Sequence, residues 1–272
     1  MKTLNIKNAI YVGSEKRKSL VDFEVPENFN GKIILFLHGF MGFKDWGCWH
    51  LMQDVFVNQG FGFCKFNLSH NGGTVDNPVD FPDENAFAKN TYSKELYDVH
   101  EVIDWISSHF LTPYELILIG HSRGGGIAAL VNHEMIIKKI FLAPISSFDK
   151  RFPIDDELDE WKIKGYRTIL NSRTKQQLKQ NIAFWEDFNI HATELSIENS
   201  CVKNFTPALV IHGNNDESVA IEEGKNIADW LGCKLIEIAG ANHTFGATQP
   251  WKQNELPENL KVVCDYIHEF IA

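Results

Sequence analysis

The chain has 272 residues, 44% hydrophobic and 23% charged, the make-up of a globular protein long enough to bury a core without disulfide or metal staples. Its 26 Lys and Arg against 36 Asp and Glu leave a net charge of -10. No basic block interrupts that balance, which argues against nucleic acid and anionic membrane surfaces as partners.

Short apolar runs alternate with longer helix-like segments. Residues 3–11 and 18–25 read as two N-terminal strands, and 32–37 (KIILFL) as a buried strand leading into the loop HGFMGFKDWG. A helix is expected from Trp49 to Gly60, then a strand over 61–68 and a polar loop, SHNGGTVDNPVD. Leu96, Val99, Val102, Ile103 and Ile106 recur at helical spacing within 92–110. A strand at 115–119, a helix at 123–135 and a strand at 138–143 follow. Further on come a strand at 208–212, a helix at 219–231, a strand at 234–239 and a terminal helix at 257–271. Strands alternating with helices predict an α/β protein with a mainly parallel sheet covered on both faces.

The interval 146–205 breaks this rhythm and reads as an insertion resting on a core made of 1–145 and 206–272. Inside it, Trp161, Ile163 and Gly165, then Tyr166, Thr168 and Leu170, alternate as strands do, which suggests a hairpin turning near Asn171-Ser172.

The chemistry gathers at strand ends. Residues 120–124 read Gly-His-Ser-Arg-Gly, a G-x-S-x-G pentapeptide between a buried strand and an apolar helix. That context demands a tight turn that lifts the Ser122 hydroxyl clear of the sheet, with the helix N-terminus beside it. The stretch lacks the glycine spacing of a nucleotide-binding turn, and no acid ends the next strand to hold a ribose. Serine needs a base, and His243, on the loop after the last strand, is the candidate. His38 and His212, each before a glycine at a strand end, read as structural, and His121 points away from the serine. An acid must hold the base in one tautomer. Asp216 follows strand 208–212, with Glu217 and Asp149 as alternatives and a helix cap as the plain structural role for any of them. The oxyanion formed on attack needs two donors: the backbone N–H of Arg123, and that of Phe40 or of Met41 in the HGFMG loop. The Arg123 side chain reads as one half of an ion pair.

These segments, HGF, GHSRGG, HGNND and ANHTF in that order, resemble the α/β-hydrolase superfamily over nearly the whole chain. Within it the chain is similar to dienelactone-hydrolase-like and serine esterase or peptidase-like bacterial hydrolases, including cinnamoyl (feruloyl) esterases. The resemblance implies an α/β-hydrolase fold with an eight-stranded sheet and a cap after the sixth strand. It also implies a Ser122–Asp216–His243 triad and carboxylic ester hydrolysis without a cofactor. Dienelactone hydrolases proper carry a cysteine nucleophile. Ser122 in its place argues for ordinary ester chemistry.

Aromatic residues of the loops and the insertion suggest walls for an apolar acyl group. Met41, Phe43, Trp161 and Trp185 are the pocket candidates. No metal is expected, since the histidines are scattered and Cys48 with His50 forms only an isolated pair. Five widely spaced cysteines, no apolar leader in the first residues and no apolar run near the roughly 18 needed to span a bilayer lead to a cytoplasmic expectation. The expected partner is a small-molecule ester, and the sequence carries no signal for oligomeric state. Two other readings stand beside the esterase. One is an acyl-aminopeptidase-like amide hydrolase, with Glu157, Glu160, Glu186 or Asp187 holding a free amine. The other is a ligand-binding hydrolase fold without catalysis. The triad by itself is also compatible with acyl transfer.

Overall fold

The structure, a computed structural model, describes residues 3–272; the first two residues of the segment assigned to the core lie outside it. Its eight-stranded sheet runs in the order β1 (Leu4–Val12), β2 (Lys18–Val25), β4 (Gly62–Phe66), β3 (Lys32–Leu37), β5 (Glu115–His121), β6 (Ile136–Leu142), β9 (Ala208–Gly213), β10 (Lys234–Ile238). β1 and β2 are antiparallel to their neighbours, and every pairing from β4 to β10 is parallel. The period of two sends alternate residues to opposite faces. Ile33, Leu35, Leu116 and Leu118 pack under α3 (Tyr92–His109) and α4 (Arg123–Leu130). Ile34, Phe36, Ile117 and Ile119 pack under α1 (Trp49–Asn58) and α9 (Glu258–Ile271). Both faces are dry, so the central strands read as continuous apolar runs.

Most expected elements stand within a few residues of their places. The helix expected to reach 135 ends at Leu130, where Val131 turns extended. Buried Lys139 donates from Nζ to the Ala129 and Val131 carbonyls at 3.3 and 2.5 Å, taking over acceptors that another helical turn would have used. α2 (Glu84–Ala88) was not expected. Asp83 caps it by accepting from the Ala86 N–H at 2.9 Å.

Between β6 and β9 the chain forms α5 (Asp155–Lys164), the hairpin β7 (Tyr166–Leu170) and β8 (Gln177–Asn181), α6 (Ala183–Ile190) and α7 (Ile197–Lys203). The hairpin is a sheet of its own, and α7 packs against α4 and α8 (Ile221–Leu231). The apparent strand pattern at Trp161–Gly165 is a helix instead. Asp155, Asp156 and Glu157 sit in its first turn and Lys162 and Lys164 in its last, which suits the helix dipole. Gly165, at φ 75°, ends it in the left-handed conformation. The alternation is real only from Tyr166 onward. Among the described residues no helix is long and apolar enough to cross a membrane.

Candidate active site

Ser122 stands between β5 and α4 at φ 58° and ψ -121°, a region that a residue with a Cβ occupies at a cost of about 1–3 kcal/mol. The glycines around it are required by contact. A Cβ on Gly120 would lie 2.4 Å from the Gly124 carbonyl oxygen, and one on Gly124 would lie 2.5 Å from the Leu37 and His38 carbonyls. The Ser122 N–H donates to the Leu142 carbonyl at 2.9 Å, tying the turn to β6. The serine is half-buried while its neighbours are buried, so the strain serves to present the hydroxyl.

His243 lies on the loop after β10. Its Nδ1 is 2.8 Å from Asp216 Oδ2, and since a carboxylate only accepts, Nδ1 carries the proton and Nε2 keeps its lone pair. The other Asp216 oxygen accepts from the Ser218 and Val219 N–H groups at 2.8 and 2.9 Å. Asp216 is therefore the partner of the histidine and also braces the turn before α8, but it is not the helix cap that the sequence left open, since α8 is capped at Ala220 without a side-chain bond. Burial would raise its pKa, but hydrogen bonds from His212 and His243 hold the carboxyl well below the usual range. Glu217 and Asp149 are exposed, and neither bonds to His243.

Three further histidines fix the loops. His212 Nε2 lies 3.0 Å from the Val219 carbonyl and 3.2 Å from Asp216 Oδ2, so it donates toward the oxygen that also faces His243. His121 Nε2 lies 2.9 Å from the His243 carbonyl and ties down the backbone of that residue. Burial, with His243 nearby, pushes the His121 pKa down to about 3. His38 accepts at Nε2 from the Leu68 N–H at 3.3 Å and therefore donates from Nδ1 to the Gly39 carbonyl at 2.9 Å. The Gly42 N–H reaches the same carbonyl at 3.0 Å. A trans peptide points its N–H opposite its C=O, so pinning the Gly39 carbonyl fixes the direction of the Phe40 N–H. The SHNGG segment, to which the sequence assigned no role, braces this loop: Asn71 Nδ2 donates to the Gly42 carbonyl at 2.6 Å.

Two lobes meet at the serine, and Phe40, Ser122 and His243 line both. The larger, about 880 Å³, is closed by Ile145, Pro153 and the β7 residues Arg167–Leu170, with the Arg123 side chain on its wall. The smaller, about 440 Å³, is lined by Met41, Trp46, Trp49, Arg173 and Gln249. A separate groove of about 760 Å³, near the starts of β6 and β9, carries none of these groups. Arg123 pairs with buried Glu95 at 3.2 Å and lies 3.8 Å above the Phe40 ring.

Of the four pocket candidates only Met41 lines a lobe. Phe43 is 2% exposed and belongs to the core. Trp161 is 1% exposed, with its indole N–H donated inward to the Gln180 carbonyl at 3.0 Å. Trp185 packs on the core edge, with Lys162 Nζ 5.0 Å from its ring centre. The misplacement follows from the α5 helix: once residues 155–164 coil, Trp161 is buried and lines neither lobe. Sequence reasoning did not single out Arg151 and Arg167, which line the larger lobe, and no local motif marks either.

The α/β-hydrolase family model ("Alpha/beta hydrolase family") matches residues 34–253, and the chain belongs to that family. No curated protein sequence matches it. Among solved structures, Est1E from Butyrivibrio proteoclasticus with ferulic acid bound superposes with a TM-score of 0.73 at 20% identity, covering 97% of this chain and 98% of that one. A putative hydrolase from Agrobacterium vitis S4 gives 0.71 at 19% identity, covering 100% and 99%. The esterase domain of a Rhodothermus marinus protein gives 0.63 at 14% identity, covering 100% of both chains.

Proposed function

We propose that this member of the α/β-hydrolase family is a serine hydrolase that cleaves carboxylic esters through an acyl-enzyme on Ser122. One observation carries the reading. A serine on a strained strand-to-helix turn shares a cavity with a histidine whose Nδ1 proton is held 2.8 Å from a buried carboxylate. Ser122 attacks the acyl carbon, and His243 Nε2 takes its proton and returns it to the leaving alcohol. Water then attacks the acyl-enzyme with His243 as base again, and Asp216 stabilises the imidazolium in both halves. The Phe40 and Arg123 N–H groups hold the oxyanion, a role worth about a hundredfold or more per donor. Among the described residues Ser122 Oγ has no hydrogen-bond partner; contacts of this kind tighten when substrate loads.

The esterases among the structural relatives support ester over other acyl chemistry, although their identities carry the fold alone. Residues 146–205 serve as the cap, since β7 and the start of α5 close the larger lobe over Ser122. Five free thiols fit a reducing cytoplasm. The chemistry needs no cofactor. Of the acids that would favour amide cleavage, Glu186 and Asp187 lie outside both lobes and Asp187 is bonded to Ser93 at 2.9 Å.

The test is hydrolysis of p-nitrophenyl esters from acetate to decanoate, with an aromatic acyl ester, by the wild type and Ser122→Ala. Turnover by the wild type alone supports the reading, and the chain-length optimum sizes the acyl lobe. Equal background rates from both proteins overturn it.

A further inference from the structure

Three guanidinium groups border the larger lobe, and they are not alike. Arg123 is paired with Glu95, and Arg151 is paired with Glu223. Arg167 forms no ion pair among the described residues. Its Nε donates to Gln180 Oε1 at 2.8 Å, its Nη2 donates to the Arg151 carbonyl at 3.2 Å, and its plane lies 4.4 Å from the Trp161 ring centre. All three contacts are with neutral groups: they orient the guanidinium and do not neutralise it. The acids nearest the lobe stand at its rim, Glu157 and Glu160, both exposed, and Glu160 is bound to Lys164.

A half-buried cation without an ion-pair partner is a cost to the fold, because desolvation is only partly offset by Coulomb attraction. Burial presses against the charged form of Arg167, Tyr92 opposes it, the charge of Arg123 adds to it, and Glu157 at the rim offsets it only in part, so the pKa of Arg167 lies below its usual value. These three contacts orient the side chain, and among the described residues the edge made by its Nη1 group and one Nη2 hydrogen meets no acceptor. That edge is a planar donor fork, the geometry that takes both oxygens of a carboxylate. Ile145, Ile169 and Leu170 add apolar surface to the same lobe, beside the polar Thr168 and Ser218.

We infer that Arg167 is a specificity residue that binds a carboxylate carried by the ester substrate, separated from the scissile ester by an apolar spacer. The inference rests on the ester-hydrolase reading of Ser122 and names the substrate class for it: a monoester of a dicarboxylic acid, or an ester whose alcohol bears a carboxylate. A neutral ester of the same length meets the same apolar surface but leaves the guanidinium unpaired.

The experiment compares monomethyl adipate with dimethyl adipate, and 4-acetoxybutanoate with its methyl ester, following acid release in a pH-stat. The first pair places the charge on the acyl side and the second on the alcohol side. Expected is a kcat/KM ratio of at least tenfold in favour of the acid-bearing member of one pair. The ratio should fall toward one in Arg167→Met and be partly kept in Arg167→Lys, which holds the charge without the fork. Thermal melts of both variants show whether the hairpin stays folded, and if Arg167→Met melts early, Arg167→Lys decides. Calorimetric binding of monomethyl adipate to Ser122→Ala, with and without Arg167→Met, gives a readout that needs no turnover; a loss of tenfold or more is expected. Ratios at or below one in both pairs, preference for a cationic aminoacyl ester, or binding indifferent to Arg167 would overturn the inference. If no ester is hydrolysed, the Ser122 reading fails, and the binding arm still decides the subsite.

Discussion

Replacing Asp216 with Asn tests the site at its most constrained point. The carboxylate accepts from two main-chain N–H groups on Oδ1, and on Oδ2 it faces His243 Nδ1 at 2.8 Å and His212 Nε2 at 3.2 Å. An amide offers one accepting oxygen and one donating nitrogen. If the oxygen stays with the Ser218 and Val219 N–H groups, the NH₂ meets two imidazole donors. His243 then moves its proton to Nε2 and can no longer accept the one on Ser122. If the amide flips, its NH₂ faces the two main-chain donors and the turn before α8 opens. The first arrangement keeps the fold, so kcat should drop about 10,000-fold, equivalent to ~5 kcal/mol of transition-state stabilisation. Initial rates on p-nitrophenyl acetate, with circular dichroism to confirm folding, measure it. A second signature lies in acid stability. A carboxylate held below its unfolded pKa contributes stability above about pH 4, and loses it as pH falls toward the folded value. Asp216→Asn should therefore unfold with a flatter acid limb than the wild type. A folded variant retaining more than about a tenth of kcat would refute the assignment, since wrong-tautomer losses are near 10,000-fold.

Four other outcomes follow from the geometry. His121, held neutral by burial down to about 3, costs stability as pH falls below its unfolded value; His121→Gln should flatten the dependence by about 1.4 kcal/mol per pH unit below about 6.5, read from urea midpoints. Asn71→Ala removes the brace on Gly42 and should lower kcat by about tenfold, with little change in the melting temperature, because one oxyanion donor is worth a hundredfold and here it is displaced, not lost. Gly124→Ala forces a Cβ against two carbonyls and should cost about 3 kcal/mol or more, or give no soluble protein. Trp161→Phe, which keeps the ring but orphans the Gln180 carbonyl, should cost about 1–3 kcal/mol in denaturant without moving the acyl chain-length optimum; a moved optimum would return Trp161 to the pocket wall.

The grouping of the candidate residues was legible in the sequence because each follows the end of a buried strand. Position along the chain then becomes position in space: the ends of β3, β5 and β9 supply His38, Ser122 and Asp216. The walls were not legible. A residue in the insertion faces the substrate or the cap interior according to the period of its element, and Trp161 to Gly165 fit a strand and a helix about equally well. Only the charge order of the segment, acids first and lysines last, pointed to the helix that places Trp161 inward. Arg167 carries no local motif at all. Its meaning lies in the lack of an ion-pair partner among the described residues, which depends on tertiary contacts that no spacing encodes. His212 and His38, read as structural from their Gly neighbours, prove to touch Asp216 and the Gly39 carbonyl.

The use of imidazole in these supporting places follows from what the base requires. Each loop that carries a catalytic group must be tied down through its main chain, and each tie needs a rigid donor that reaches a carbonyl from inside the core. Lysine or arginine would supply the donor, but would also place a positive charge beside His243, making its imidazolium harder to form. Asparagine and glutamine supply it without charge but leave more rotamers to freeze and an amide that can flip. A buried histidine meets both needs. It has one donor fixed by the acceptor it finds, and burial keeps His121 and His38 neutral down to about 3 and 4. His121 can thus lie with its ring centre 4.8 Å from that of His243 and hold its carbonyl without placing a positive charge beside that ring.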